Sequence, residues 1–229
     1  MRQARLLQGL PPEEQRKLVE QARRRTYVGG EIIYREGDPA DTLHLIVSGR
    51  VVAVVSTPDG REVAFSVMGT DEVFGVTALL TEGGLRIATV RALERTETLA
   101  IHRRDFEHLR QRHRAVADLL LTILGQRVRR LSTRLREALY LPVEARILRR
   151  LVELARAYGD GANQAVIPLT QESIAGLSGT ARATVNRILQ VERDRGTVSL
   201  EKGRIIVHDL AALARRARMV RGALDVEPT

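Results

Sequence analysis

The chain is 229 residues long, room for one large domain or two of ordinary size, each able to bury its own core. Its 44% hydrophobic and 28% charged content is that of a folding protein, and the absence of cysteine excludes disulfides, thiolate metal sites, iron–sulfur clusters and a cysteine nucleophile. All 37 basic residues except Lys17 and Lys202 are arginine; against 28 acidic residues they leave a net charge of +9, which favours an anionic partner.

The N-terminus, MRQARLLQGLPPEEQRKL, has no apolar signal region, and no stretch of about 18 uncharged apolar residues occurs, so a cytoplasmic protein without a membrane partner is expected. From about Thr26 to His102, glycines at Gly37, Gly49, Gly60, Gly69 and Gly83-Gly84 separate short apolar or alternating runs: 31–34, 42–47, 51–55, 62–68, 88–93 and 98–101. These read as strands between tight turns, with Asp59-Gly60 a hairpin signal. No run here looks helical and no long repeat occurs, so residues 1–108 are expected to form a compact antiparallel roll or barrel with a helical lead-in.

Helical spacing comes next. Val116, Leu120, Leu124, Val128, Leu131, Leu135 and Leu139 recur every three or four residues, a narrow stripe fit for helix pairing. Residues 109–140 are therefore expected to be a dimerisation helix, with Leu120, Leu124, Val128, Leu131 and Leu135 in its seam. Arginines at 127, 129, 130, 134 and 136 flank the seam; most read as a solvated face, and only Arg127 is placed to point inward. Pro142 then opens a helix with an apolar stripe at Ile147, Leu148, Leu151 and Leu154, which the GDGAN loop at 159–163 ends. A second domain is expected over 141–221, with a frayed tail at 222–229.

TQESIAGLSGTARATVNRIL, 170–189, has helix-turn-helix spacing: Ala175 lets two helices approach, Gly179 supplies the positive φ of the turn, and Val185 and Ile188 come after it at core spacing. Thr170 is the expected cap of the first helix. Arg182, Ala183, Asn186, Arg187 and Gln190 share the outer face of the second. In a major groove arginine takes guanine O6/N7 bidentately and asparagine takes adenine, so this is base-reading chemistry. Thr170, Thr180 and Thr184 near the helix starts are placed for phosphates. TVSLEKGRIIVHD, alternating around Lys202-Gly203, reads as a β-hairpin wing whose Lys202 and Arg204 would touch the backbone. The bland alternative is a helical pair with a solvated basic face; the coincidence of glycine turn, inward triad, basic outer face and wing argues against it.

These elements together resemble the Crp/Fnr family of dimeric bacterial transcription regulators. The resemblance covers roughly residues 5–215 and rests on IIYREGDPADTLHLIVSGRV at 32–51, VFGVTALLTEGGLRIATVRAL at 73–93 and LTQESIAGLSGTARATVNRIL at 169–189. It implies an α+β fold: an N-terminal antiparallel β-roll of the jelly-roll (double-stranded β-helix) type, a long dimerisation helix and a C-terminal winged helix-turn-helix. It also implies a homodimer on a palindromic operator in double-stranded DNA, and RNA polymerase as a partner if the protein activates, touched by the loop at 158–163.

In cyclic-AMP-binding members the segment matching 75–88 is a phosphate-binding cassette whose glutamate holds ribose and whose Arg-Ser pair holds phosphate. Arg86 matches the arginine, but Val76 stands for the glutamate and Ile87 for the serine; the family's adenine-contacting Thr-Ser pair corresponds to Leu131-Ser132. These departures disfavour cyclic AMP. VFGV with ALLT after it is similar to the nitrogen-control branch, which binds 2-oxoglutarate through backbone near that turn, here Phe74, Gly75, Val76 and Thr77, and through arginines matching Arg86 and Arg127. Two guanidiniums would anchor a dicarboxylate. Three effector states stay open: a 2-oxoglutarate-like dicarboxylate, a cyclic nucleotide, or none, with Arg86 then paired to a glutamate and Arg127 solvated. In the recognition helix the family commonly has Arg-Glu where this chain has Arg182-Ala183, so the base at that position should relax or change.

No cofactor or metal is expected. His44, His102, His108, His113 and His208 show no ligand-like clustering, which also weighs against an enzyme on a cupin-like roll. A ligand-sensing module acting through protein partners without DNA would leave Arg182 and Arg187 without a purpose.

Overall fold

The computed structural model describes residues 11–57, 62–80, 83–159 and 162–220. The turn at Asp59-Gly60, two residues of the loop at 158–163, the first ten residues and the tail lie outside them. The chain divides into two compact units, Met1–Val128 and Arg129–Thr229.

The first unit opens with helix α1 (Pro12–Gln21) and then the strands β1 (Arg23–Tyr27), β2 (Ile32–Tyr34), β3 (Thr42–Ser48), β4 (Val51–Ser56), β5 (Glu62–Met68), β6 (Val73–Phe74), β7 (Thr89–Ala92) and β8 (Thr96–His102). They form two four-stranded antiparallel sheets, ordered β1-β8-β3-β6 and β2-β7-β4-β5. Ile46 and Phe74 of the first sheet pack with Val51, Ala53, Met68 and Val90 of the second in one core cluster, while Leu43, Leu45, Leu99 and Ile101 on the other face of β3 and β8 belong to a second cluster. The expected antiparallel roll is present.

Two elements depart from the sequence reading. Arg23–Tyr27 is a strand, although RRRTY has no apolar alternation; it sits at a sheet edge against β8, where charged side chains remain in water, and Arg24 bonds Glu97. Val76–Leu80 is a short helix, α2, inside the roll, burying Val76, Ala78 and Leu79.

The helical region after the roll is two helices, α3 (Arg103–Arg112) and α4 (Arg114–Tyr140), parted at His113, so a domain limit at 108 would fall inside α3. The predicted seam is also divided. Val116 and Leu120 are buried within the first unit, packed with Leu43, Leu45, Leu99, Ile101 and Phe106, so Leu120, expected in the seam, is not on the exposed side of the helix. Leu124 is half-buried. Leu121, Val128, Leu131, Leu135 and Leu139 are exposed, and these carry the unpartnered stripe.

The second unit contains the C-terminal half of α4, then α5 (Val143–Tyr158), β9 (Ala165–Ile167), α6 (Gln171–Ser178), α7 (Arg182–Asp194), β10 (Val198–Glu201), β11 (Arg204–Val207) and α8 (Leu210–Met219). Pro142 caps α5, whose Ile147, Leu148, Leu151 and Leu154 are all buried as their spacing requires. The wing is a three-stranded antiparallel sheet, because β9 joins the predicted hairpin on the β11 side. Glu192, fully buried, ties the end of α7 to the start of the wing and to α8: it accepts from Thr197 Oγ1 at 2.8 Å and Arg195 at 3.1 Å, and forms an ion pair with Arg216 Nε at 3.0 Å. Between α4 and α5, Glu137 takes Arg150 at 3.1 Å and Arg149 at 3.4 Å. Among the described residues no helix is long and apolar enough to cross a membrane.

Candidate functional site

Two sets of residues carry chemistry, one in each unit. In the second, α6 and α7 form the helix-turn-helix. Thr170 caps α6, its Oγ1 accepting from the Ser173 N–H at 3.1 Å. Gly179 ends it at φ 61°, a left-handed conformation that carries a cost for any residue with a Cβ, and the chain turns directly into α7. Val185, Ile188 and Leu189 are buried against α5 and α6 as the spacing predicts.

The opposite face of α7 is open. Arg182, Ala183, Asn186 and Arg187 are exposed, and neither Arg182 nor Arg187 has an intramolecular partner among the described residues. That sets them apart from Arg193, Arg195, Arg204 and Arg216, which are held by Asp194, Glu192, Glu201 and Glu144. Gln190 is half-buried, and its Nε2 donates to Asn186 Oδ1 at 3.3 Å, one helical turn away. The cap of α7, Ala181, has no side-chain acceptor, which leaves first-turn amides for an outside oxygen. Thr180 and Thr184 are half-exposed beside this turn and Thr170 is exposed at the other helix start. On the wing Lys202 is exposed at the turn, while Arg204, exposed too, gives one side of its guanidinium to Glu201.

In the first unit the cassette runs through β6, α2 and the segment to Ala88. Arg86 is buried, 4% exposed, and among the described residues the carboxylate beside it is that of Asp41, not of a glutamate. Its Nη2 donates to Thr42 Oγ1 at 3.0 Å, with Asp41 at 3.9 Å; its Nη1 reaches the Gly75 carbonyl at 3.5 Å; its guanidinium lies 4.0 Å over the Tyr34 ring. Nε has no partner although it is buried. A guanidinium taken from water this far keeps a donor that a small anion can take.

Beside it His44 stacks on Phe74, ring centroids 4.9 Å apart, and is bonded to Thr98 Oγ1 at 3.2 Å. Burial, with Arg86 nearby, lowers its pKa to about 4, so it is neutral. Burial likewise pushes the Tyr34 hydroxyl up to about 12, against the pull of Arg86 and Arg127. Gly75 stands where φ is 83° and where a Cβ would lie 2.6 Å from Arg86 Nη1.

Arg127 is half-buried, not solvated. Its Nη2 donates to the Val73 carbonyl at 2.6 Å and its Nη1 reaches Thr77 Oγ1 at 3.4 Å, so it bridges α4 and the cassette. Thus the structure brings Phe74, Gly75, Thr77, Arg86 and Arg127 together. Val76, by contrast, is fully buried in the core, and Ile87 is 58% exposed. Leu131 and Ser132 are exposed residues of the second unit.

Sequence reasoning missed Tyr34, Thr42 and Arg103. Tyr34 and Thr42 sat in strands already counted as scaffold. Arg103 opens α3 and donates to the Ala40, Ala78 and Leu79 carbonyls at 3.0, 3.2 and 3.2 Å, fastening the end of α2; nothing in its spacing announced this. Among the described residues no group of three or more His, Asp or Glu is arranged to hold a metal.

Residues 24–113 match the cyclic nucleotide-binding domain family, and residues 145–216 match the Crp-like helix-turn-helix domain. The chain is 34% identical over 211 residues to the cyclic AMP receptor protein of Thermus thermophilus, covering 91% of this chain and 94% of that one. It is 31% identical over 216 residues to the CRP-like cAMP-activated global transcriptional regulator of Mycobacterium tuberculosis, covering 93% and 96%. The crystal structure of the catabolite activator protein of Thermus thermophilus matches with TM-score 0.53 and 31% identity over 94% of this chain and 99% of that one.

Proposed function

The chain belongs to the Crp/Fnr family of transcriptional regulators, and from that premise we propose that it binds its operator as a homodimer, under the control of a small anion in the β-roll. The observation that carries the DNA reading is the outer face of α7, where Arg182 and Arg187 stand exposed with no intramolecular partner among the described residues while neighbouring arginines are neutralised. Arg182 and Arg187 would take guanines bidentately and Asn186 an adenine edge. Thr170, Thr180, Thr184, Lys202 and Arg204 would hold phosphates and set the register.

The exposed residues Val128, Leu131, Leu135 and Leu139 are the pairing stripe. Two copies bring 2 × 9 = +18 of charge to the duplex. Their two-fold symmetry asks for a near-palindrome with half-sites spaced by about one helical turn, 10 to 10.5 bp, or a multiple of it. The place of action is the cytoplasm, where a bacterial chromosome lies. If the protein activates, the loop at 158–163 is its surface for RNA polymerase.

The unused donor on buried Arg86 supports an effector, and Arg127 supplies a second cation on the same cassette. The relatives named above are called cyclic AMP proteins. Here Val76 is turned into the core and Ile87 brings no hydroxyl, so a ribose hook and one phosphate ligand are lacking, which favours a compact dicarboxylate such as 2-oxoglutarate.

Selection of duplexes from a random pool at physiological salt, without effector, with cyclic AMP and with 2-oxoglutarate, tests this. A palindrome enriched only with 2-oxoglutarate is the expected result. Enrichment with cyclic AMP alone would overturn the choice of effector, equal enrichment in every arm would overturn effector control, and no enrichment anywhere would overturn the DNA reading.

A further inference from the structure

The side chain at the centre of the reading face is a bare methyl. At 100° per residue, taking Arg182 as zero, the exposed residues point at about 40° (Asn186), 80° (Gln190), 100° (Ala183) and 140° (Arg187), while Val185, Ile188, Leu189 and Glu192 cluster around about 290°. All four of the latter are buried, so Ala183 stands almost opposite the middle of the buried side, with the two unpaired guanidiniums flanking it. It is also the second residue of the helix, in the first turn, the part of a recognition helix that meets base edges. Its Cβ has neither donor nor acceptor. The one feature of the major groove that such a group can read is another methyl, that on C5 of a pyrimidine.

We propose that Ala183 determines specificity by packing its methyl on a C5-methyl group in each half-site, which thymine supplies ordinarily and 5-methylcytosine supplies in modified DNA. This rests on the DNA-binding role proposed for α7. The arrangement is internally consistent: a short residue at the centre lets the helix axis come close to the groove floor, and the longer Arg182 and Arg187 then reach guanines to either side. The Asn186 amide, its oxygen already accepting from Gln190, keeps its N–H donors for a neighbouring acceptor and does not compete for the methyl.

The test uses the full-length protein and the duplex selected as above. Each thymine of one half-site is replaced in turn by deoxyuridine, which removes only the C5-methyl, and cytosine and 5-methylcytosine are then placed at the responding position. The expected result is one thymine per half-site where deoxyuridine weakens binding about fourfold, the loss of one buried methyl. At that position 5-methylcytosine should bind about as much tighter than cytosine, and Ala183→Gly should abolish both differences.

Ala183→Ser serves as a second variant should glycine loosen the helix; it should blunt the methyl effect while circular dichroism stays unchanged. If a palindrome is selected but no deoxyuridine replacement matters, or the effect persists in Ala183→Gly, the proposal fails while the DNA-binding reading stands. If no palindrome is selected, both fail.

Discussion

Glu137, in the last full turn of α4, and Arg150, on α5, are both buried and joined at 3.1 Å across the Leu141-Pro142 corner. Arg150 also bonds Glu153, and Arg149 adds a second contact to Glu137 at 3.4 Å. The end of α4 is therefore fastened to α5 by charge that water does not screen. Glu137→Ala would leave Arg150 buried with less compensation, and is expected to cost about 3 kcal/mol, with Glu137→Gln costing less. Urea denaturation of the two variants checks this; equal and negligible losses would show that the pair is idle.

His44 makes stability depend on pH. Its folded pKa of about 4 lies below the ordinary 6.5, so between those values the unfolded chain binds a proton that the folded chain does not. Stability should be level for this group above about pH 6.5, fall as pH drops through the window and level off below about pH 4, by a total of order 3 kcal/mol. Denaturation midpoints of wild type and His44→Phe from pH 7.5 to 4.5 isolate it; the variant should show the shallower slope.

Gly75→Ala should disable the proposed effector site by crowding Arg86 while leaving both arginines in the chain. The new Cβ would lie 2.6 Å from Arg86 Nη1 and 3.1 Å from the Thr42 carbonyl, at a φ of 83° that alanine resists at a cost of roughly 1 to 2 kcal/mol. The expected outcome, read by titrating effector against labelled operator, is a loss of response with binding in its absence unchanged.

Leu131→Asp places a carboxylate in the middle of the exposed stripe. Sedimentation velocity should report monomer where wild type reports dimer, with the circular dichroism spectrum retained, because Leu131 is 58% exposed.

Arg182→Ala and Arg187→Ala should each weaken operator binding by about 1 to 3 kcal/mol and flatten preference at one base pair per half-site. Lys202→Ala should weaken operator and random duplex alike and lower the salt dependence of both. Fluorescence anisotropy over a series of salt concentrations separates the two behaviours.

The DNA-binding half was legible because its signals are local. A positive-φ glycine, a capping threonine and three inward residues at helical spacing fix Thr170 to Leu189 whatever surrounds them. The roll was legible as alternation and turns, but not at Arg23–Tyr27, where pairing with β8 imposes a strand that the side chains do not advertise. The seam was misjudged at its start because apolar spacing shows that a helix has a buried side and not what buries it; Val116 and Leu120 meet strands distant in sequence. Arg86 and Arg127 were identified by resemblance, yet their partners, a tyrosine face, a threonine hydroxyl and backbone carbonyls, are products of folding together residues up to 54 positions apart.

The division of labour along α4 bears on how such proteins stay distinct inside one cell. Its first turns pack in the roll of its own chain, and of the exposed stripe the part from Val128 to Leu139 occupies about 17 Å of helix. In the dimer proposed above, a handful of side chains there would decide which chains pair, and they can be exchanged without disturbing the roll's core. Duplicated regulators of this build can therefore separate into non-mixing dimers in a few substitutions, each keeping its own signal and its own set of promoters.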